Sequence, residues 1–275
     1  MMIKLIASDI DGTLLPEGHD ALNPELFDVI LQLKERGVLF AAASGRQYSS
    51  MRRLFSPVAN EMIFICENGS NVICRGYEMS STVLDRRDAE ELVRYMRSLE
   101  GCFLTVSTKE SMYVEDQDEG FLRLLREGYH NDVRVVPDVL AEPIEIIKTS
   151  VYKPDGVKDI AERVIERWKG RLNTVVAGEP WIDFMDYRAD KGNALKNIQE
   201  ILHIRREETM AFGDNDNDIG MLRAAGESYA VANAKANVKQ AARHLAEENI
   251  RDGVLKVLKG LLENWEEEQD AEIQQ

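Results

Sequence analysis

At both ends of the chain, short apolar runs alternate with stretches of helical period, and few architectures accept that rhythm. Residues 4–9 read as a buried strand. Asn23 before Pro24 and Glu25 marks a helix start, with Asn as cap and Pro at the first helical position. Residues 38–43 and 62–66 are further buried strands, with a helical segment between them. The rhythm returns in a helix over 191–202, short strands at 210–212 and 229–232, and an amphipathic helix from Val254 to Trp265. Strand–helix–strand repetition predicts a parallel sheet covered on both faces.

Between about 83 and 187 the pattern changes. Two helices, over 86–99 and 155–168, accompany strands of hairpin character at 172–177 and 181–187 around Gly178-Glu179-Pro180. The expected fold class is therefore α/β: a Rossmann-like, doubly wound parallel-sheet core with an inserted α+β unit. The core would be discontinuous, 1–83 and 188–275, with the insertion at 84–187 and hinges near 83–86 and 187–191. Trp181, Asp183 and Met185 alternate along one strand of the insertion, and packing within it is preferred to lining a cleft.

A length of 275 residues can bury a substantial core without staples. The three cysteines are odd in number and hold no CxxC pair, so they read as buried thiols of a reducing, cytoplasmic compartment. The longest apolar run, 38–43, is far too short to span a membrane. A net charge of -15 argues against nucleic acid and anionic lipid as partners. Six acids and no base lie in 263–275, which reads as an extension of the last helix without a part in the chemistry.

The residues that carry chemistry fall at strand ends. In Asp9-Ile10-Asp11-Gly12-Thr13, two carboxylates stand two apart where a buried strand stops, the place where open α/β sheets bind ligands. Gly213-Asp214-Asn215-Asp216-Asn217-Asp218 follows another short strand. Its carboxylates need a cation or hydrogen-bond donors to offset their repulsion. An EF-hand loop fails there, because the sixth position is Ile219 and the twelfth is Ala225. Ser44-Gly45-Arg46 follows the strand 38–43 and offers a hydroxyl, backbone N–H groups and a guanidinium to phosphate oxygens. Lys191-Gly192 opens a helix at the sheet edge. Carboxylates, a hydroxyl and a lysine in this order suit Mg²⁺ and phosphoryl transfer. The four histidines have no metal-ligand spacing and read as surface or packing residues.

These four segments resemble, in order, the motifs of the haloacid dehalogenase superfamily of phosphatases, in its Cof-like branch with a large α/β (type IIB) cap. Glu67-Asn68-Gly69, Asn233-Ala234 and Asn249-x-x-Asp252-Gly253 extend the likeness, so that it runs from Lys4 to about Leu262. One departure is Ala232, in a supporting segment where Met and Gly are usual. The resemblance implies Asp9 as nucleophile, Asp11 as general acid and base, and Ser44 and Lys191 as holders of the phosphoryl group. It implies Mg²⁺ at Asp9, Asp214 and the Asp11 carbonyl, with Asp218 and Asn217 ordering that sphere. Gly12, Thr13, Gly45, Arg46, Asn68 and Asn217 would contact phosphate or substrate. The inserted unit would be the cap. The implied activity is Mg²⁺-dependent hydrolysis of a small phosphorylated metabolite: a sugar phosphate, a nucleotide- or flavin-related compound, or pyridoxal phosphate. The enzyme would be a monomer or small homo-oligomer. A phosphosugar mutase and a non-catalytic phosphate-ligand sensor are the alternatives.

Overall fold

The computed structural model describes residues 2–273, with side chains placed as far as Trp265. The chain begins with β1 (Leu5–Asp9), α1 (Glu25–Glu35), β2 (Leu39–Ala43), α2 (Tyr48–Leu54) and β3 (Ile63–Cys66). A hairpin of β4 (Asn71–Cys74) and β5 (Tyr77–Ser81) follows. The middle holds α3 (Arg86–Met96), β6 (Phe103–Ser107), β7 (Met112–Val114), α4 (Glu119–Arg123), β8 (Val133–Val135), β9 (Lys148–Tyr152), α5 (Lys158–Trp168), β10 (Leu172–Ala177) and β11 (Trp181–Asp186). The last part holds α6 (Lys191–Leu202), β12 (Thr209–Gly213), α7 (Ile219–Ala224), β13 (Glu227–Val231), α8 (Ala236–Ala241), β14 (His244–Ala246) and α9 (Gly253–Ile273).

Among the described residues the strands form two sheets. The first has the order β14-β13-β12-β1-β2-β3-β4-β5 and draws on both ends of the chain; the second, β10-β11-β9-β6-β7-β8, belongs wholly to the middle. The first is a parallel sheet from β14 to β3, and the apolar runs serve as its central strands. All five residues of β1 are buried, as a strand covered on both faces requires. The parallel expectation stops at β3, because β4 and β5 continue the sheet antiparallel. In the second sheet only β7–β8 is parallel, which gives the inserted cap its α+β character.

Local chemistry explains the boundaries. Asn23 Oδ1 accepts the Glu25 N–H at 3.0 Å and caps α1, whose Leu26, Val29, Ile30 and Leu33 are buried against the sheet. Each such side chain contributes about 1.5–3 kcal/mol when fully removed from water. Among the described residues three apolar clusters sit apart, one under the first sheet, one around Trp168, Phe184 and Leu92 in the cap, and a smaller one around Phe121 and Leu125, also in the cap. Of the cysteines, Cys66 is buried, but Cys74 and Cys102 are only half-buried, short of the expectation for all three. The acidic run continues the last helix to Ile273; its side chains beyond Trp265, and its last two residues, lie outside the described residues. Among the described residues, no helix is long and apolar enough to cross a membrane.

Candidate active site

β1 lies between β2 and β12, so its last residue, Asp9, emerges beside the ends of both neighbours. Asp9 is 5% exposed. Lys191, the first residue of α6, places its ammonium 2.5 Å from Asp9 Oδ1 and 2.7 Å from Asp218 Oδ1. Asp218 Oδ2 accepts the backbone N–H groups of Asp214 and Asn215, each at 3.0 Å, which folds the acidic loop after β12 around it. Thr13 Oγ1 donates to Asp214 Oδ1 at 3.0 Å. Gly12 lets the chain pass this close: its φ is +90°, and a Cβ there would lie 2.5 Å from Asp214 Oδ2. The Gly12 carbonyl in turn accepts from Asn233 and Asn249, at 2.8 and 2.9 Å.

Three carboxylates therefore face one ammonium. Burial and the neighbouring Asp218 push the Asp9 carboxyl well up, against the pull of Lys191. Burial and Asp218 also raise Asp214, with Thr13 opposing. Burial alone would lower Lys191, but Asp218 and Asp9 outweigh it and hold the ammonium charged.

Asp11 points elsewhere. Its carboxylate accepts a forked pair from Arg46, Nε at 3.0 Å and Nη2 at 2.6 Å, and a longer bond from Ser44 Oγ at 3.2 Å. Half of this side chain is exposed, whereas Ser44 is buried. Burial would lower Arg46, and the Asp11 hydrogen bonds more than compensate. The Arg46 N–H also donates to Ser44 Oγ at 3.2 Å, which ties the Ser44-Gly45-Arg46 turn together.

A second polar group joins core and cap. Glu67 and Asn68 follow β3 with φ of +51° and +55°, a strained turn that turns both side chains inward. Lys148, the first residue of cap strand β9, contacts the Gly45 carbonyl at 2.8 Å, ion-pairs with Glu67, and lies 3.4 Å from Asp183. Asp183 accepts from Ser150 at 2.7 Å and from Asn68 at 3.1 Å, and Asn68 accepts from Asn217 at 3.0 Å. Burial would lower Lys148, but Asp183 and Glu67 raise it. Burial raises Glu67 despite Lys148.

The two groups border one cavity of about 300 Å³, whose walls include Asp9, Asp11, Ser44, Arg46, Asn68 and Asn217 from the core. The cap supplies Lys148, Trp181 and Asp183 among others. Trp181 and Asp183 thus line the cleft in addition to the expected packing within the cap, where Trp181 meets the Tyr129 and Tyr152 rings and Asp183 accepts from Ser150. Met185, buried on the same strand, does not line it.

A family model for haloacid dehalogenase-like hydrolases matches residues 6–258. The chain belongs to this family. An *Escherichia coli* K12 relative, the 5-amino-6-(5-phospho-D-ribitylamino)uracil phosphatase YbjI, is 29% identical, covering 96% of this chain and 98% of its own. A *Bacillus subtilis* phosphatase of the same description, YcsE, is 26% identical over 94% and 95%. A crystal structure of a protein from *Eubacterium rectale* superposes with a TM-score of 0.84 at 34% identity, covering 94% of this chain and 99% of that one.

For a haloacid dehalogenase-like hydrolase, the donor set suits a hard divalent cation. Asp9, Asp214 and Asp218 present oxygens within 4.8 Å of one another, and buried Asp9 Oδ2 has no hydrogen-bond partner. The Asp11 carboxylate stands outside that trio, engaged with Arg46 and Ser44. The sequence marks Glu67 only as part of a motif, and Lys148 carries no signal beyond a lone lysine after Ile146-Ile147.

Proposed function

We propose that this hydrolase is a metal-dependent phosphomonoesterase for a small phosphorylated metabolite, with a catalytic core at 1–83 and 188–275 and a cap at 84–187. The observation that carries the reading is Asp9: a buried strand-end carboxylate held by Lys191 at one oxygen and free at the other, beside Asp214 and Asp218. Asp9 is the nucleophile. One of its oxygens attacks phosphorus while the bond to the leaving oxygen breaks, giving an aspartyl phosphate and an alcohol. Asp11 donates the proton to the leaving oxygen, then takes one from the water that hydrolyses the intermediate, so phosphate departs and Asp9 is restored. Half-exposed on the cavity wall beside Ser44 and Arg46, its carboxyl is the one able to reach a leaving oxygen held in that cavity.

A carboxylate at about 4 Å from each unit of phosphate charge meets about 4 kcal/mol of repulsion at an effective dielectric of about 20. The Lys191 ammonium behind Asp9 offsets part of it through its charge, and Ser44 and the Ser44-Gly45-Arg46 turn hold the phosphoryl oxygens. Asp9, Asp214, Asp218 and the Asp11 carbonyl would hold Mg²⁺, which supplies the remaining positive charge. Thr13 fixes Asp214, and Asn217 and Asn68 brace the turn facing the cap. Gly12 and Gly45 keep backbone close to the phosphoryl site. The two phosphatases named for a ribitylaminouracil phosphate favour a flavin-related substrate over the other classes. Three free thiols support a cytoplasmic setting. In Asp9→Asn, phosphate release from p-nitrophenyl phosphate is expected to fall at least about 1,000-fold with the fold intact; persistent release removes Asp9 as nucleophile.

A further inference from the structure

The cavity walls carry an imbalance of charge that bears on what the enzyme accepts. Among the described residues lining it, the cations are Arg46 and Lys148, against the carboxylates Asp9, Asp11, Glu67 and Asp183. Neither cation stands idle. Lys148 has three N–H donors and three oxygens around them, from Gly45, Glu67 and Asp183. Arg46 is forked onto Asp11. Lys191 lies behind Asp9, between Asp9 and Asp218. A divalent cation and one phosphoryl dianion cancel each other, and with Asp11 carrying the proton that the leaving oxygen takes, Asp9, Glu67 and Asp183 still outnumber Arg46 and Lys148, so the walls stay net negative with substrate in place.

The remaining surface is neutral. Gln47, Ser50 and Thr105 line the cavity, and each carries a buried polar atom without a partner: Nε2, Oγ and Oγ1. Trp181 and Met112 line it too, and the Trp181 N–H already donates to the Tyr129 hydroxyl at 3.0 Å, so the indole offers the cavity apolar surface. Unpartnered donors and acceptors suit hydroxyl or amide groups, and the indole suits a flat ring or hydrocarbon edge.

We propose that this cavity takes the uncharged, hydroxyl- or amide-bearing leaving group of a phosphomonoester and turns away a substrate with a second anionic group. The inference rests on the phosphatase reading above and adds the rule by which substrates are chosen. It works by exclusion as much as by attraction, since a second phosphate or a carboxylate would meet Asp183 and Glu67 beside a Lys148 whose donors are already taken.

Three compounds on one carbon chain test it: glucose 6-phosphate, 6-phosphogluconate and glucose 1,6-bisphosphate. With Mg²⁺ present, kcat/KM is measured where hydrolysis occurs, and otherwise the competitive inhibition constant against p-nitrophenyl phosphate. Glucose 6-phosphate, whose leaving group is uncharged, is expected to be preferred at least about tenfold, or about 1.4 kcal/mol. Asp183→Asn, or Glu67→Gln if the first variant does not fold, is expected to narrow that gap at least about threefold. Equal or better use of the charged compounds overturns the proposal, as does a gap that neither substitution moves. Absence of release from p-nitrophenyl phosphate and every other ester instead fails the phosphatase reading itself.

Discussion

The molecule buries two groups built on the same plan, a lysine between carboxylates, and they are finished differently. At the end of β1, Lys191 serves Asp9 and Asp218 with Asp214 alongside, all from the core, and Asp9 Oδ2 is left without a partner. At the core–cap boundary, Lys148 and Asp183 come from the cap, and Glu67, Asn68 and the Gly45 carbonyl from the core. The first group has too little positive charge for its own carboxylates and is open to a cation. The second draws its cation from the chain itself and uses it to join two units. Similar residue types thus give a group open to a cation in one place and a fastening in the other, and the ratio of carboxylates to ammonium decides which.

Four experiments act on this contrast. Chelating divalent metal is expected to reduce phosphate release more than about 100-fold, reversed by Mg²⁺. Amide exchange at residues 45–47 and 67–69 should not change, because the second group needs no added ion; undiminished turnover in excess EDTA refutes the cation at Asp9. Lys191→Met leaves buried carboxylates unpaired and is expected to cost about 3–5 kcal/mol in denaturant unfolding, with near-complete loss of activity. Retained turnover would remove Lys191 from the chemistry. Lys148→Met is expected to speed amide exchange at residues 45–47 and 67–69 and to lower kcat/KM about tenfold, with the p-nitrophenyl phosphate kcat less affected. Unchanged exchange would mean that Lys148 does not fasten the cap.

The smallest effect is one of pH. Glu67 has a folded-state pKa above its unfolded value, so its ionised form is a standing cost to the fold at neutral pH. That cost lessens as pH falls through the folded pKa and is gone below the unfolded value near 4.5. Glu67→Gln should therefore flatten this part of the stability–pH curve; an unaltered curve would assign the slope to other groups.

Much of the core was legible because its signals are local. β1, β2, β3 and α1 follow from apolar runs and from the Asn23 cap, and the acidic segments at strand ends could be placed by the sheet alone. The β4–β5 hairpin was missed, although Arg75 and Gly76 both take positive φ and form the tight turn that joins antiparallel strands. An arginine in that conformation breaks the usual turn composition, and the flanking strands are short. Lys148 was invisible for another reason. Its partners Glu67, Gly45 and Asp183 lie in distant segments, and only the docking of cap on core brings them to one ammonium. The second role of Trp181 and Asp183, in the cleft wall, was out of reach likewise, since alternation along a strand tells which residues share a face but not what that face meets.

The return of the chain from the cap has a further consequence. Asp190 caps α6 by accepting the N–H groups of Gly192 and Asn193, at 2.7 and 3.0 Å, one residue before Lys191. Its carbonyl passes so near Gly69 that a Cβ there would lie 2.5 Å away. The splice point is thereby clamped by the core's own backbone, next to the lysine that the centre depends on. An insertion grafted at this junction could differ in size, shape or taste for ligands while the lysine kept its address. The architecture behaves as a socket with a locked pin, which holds Lys191 from the core side whatever the insertion carries.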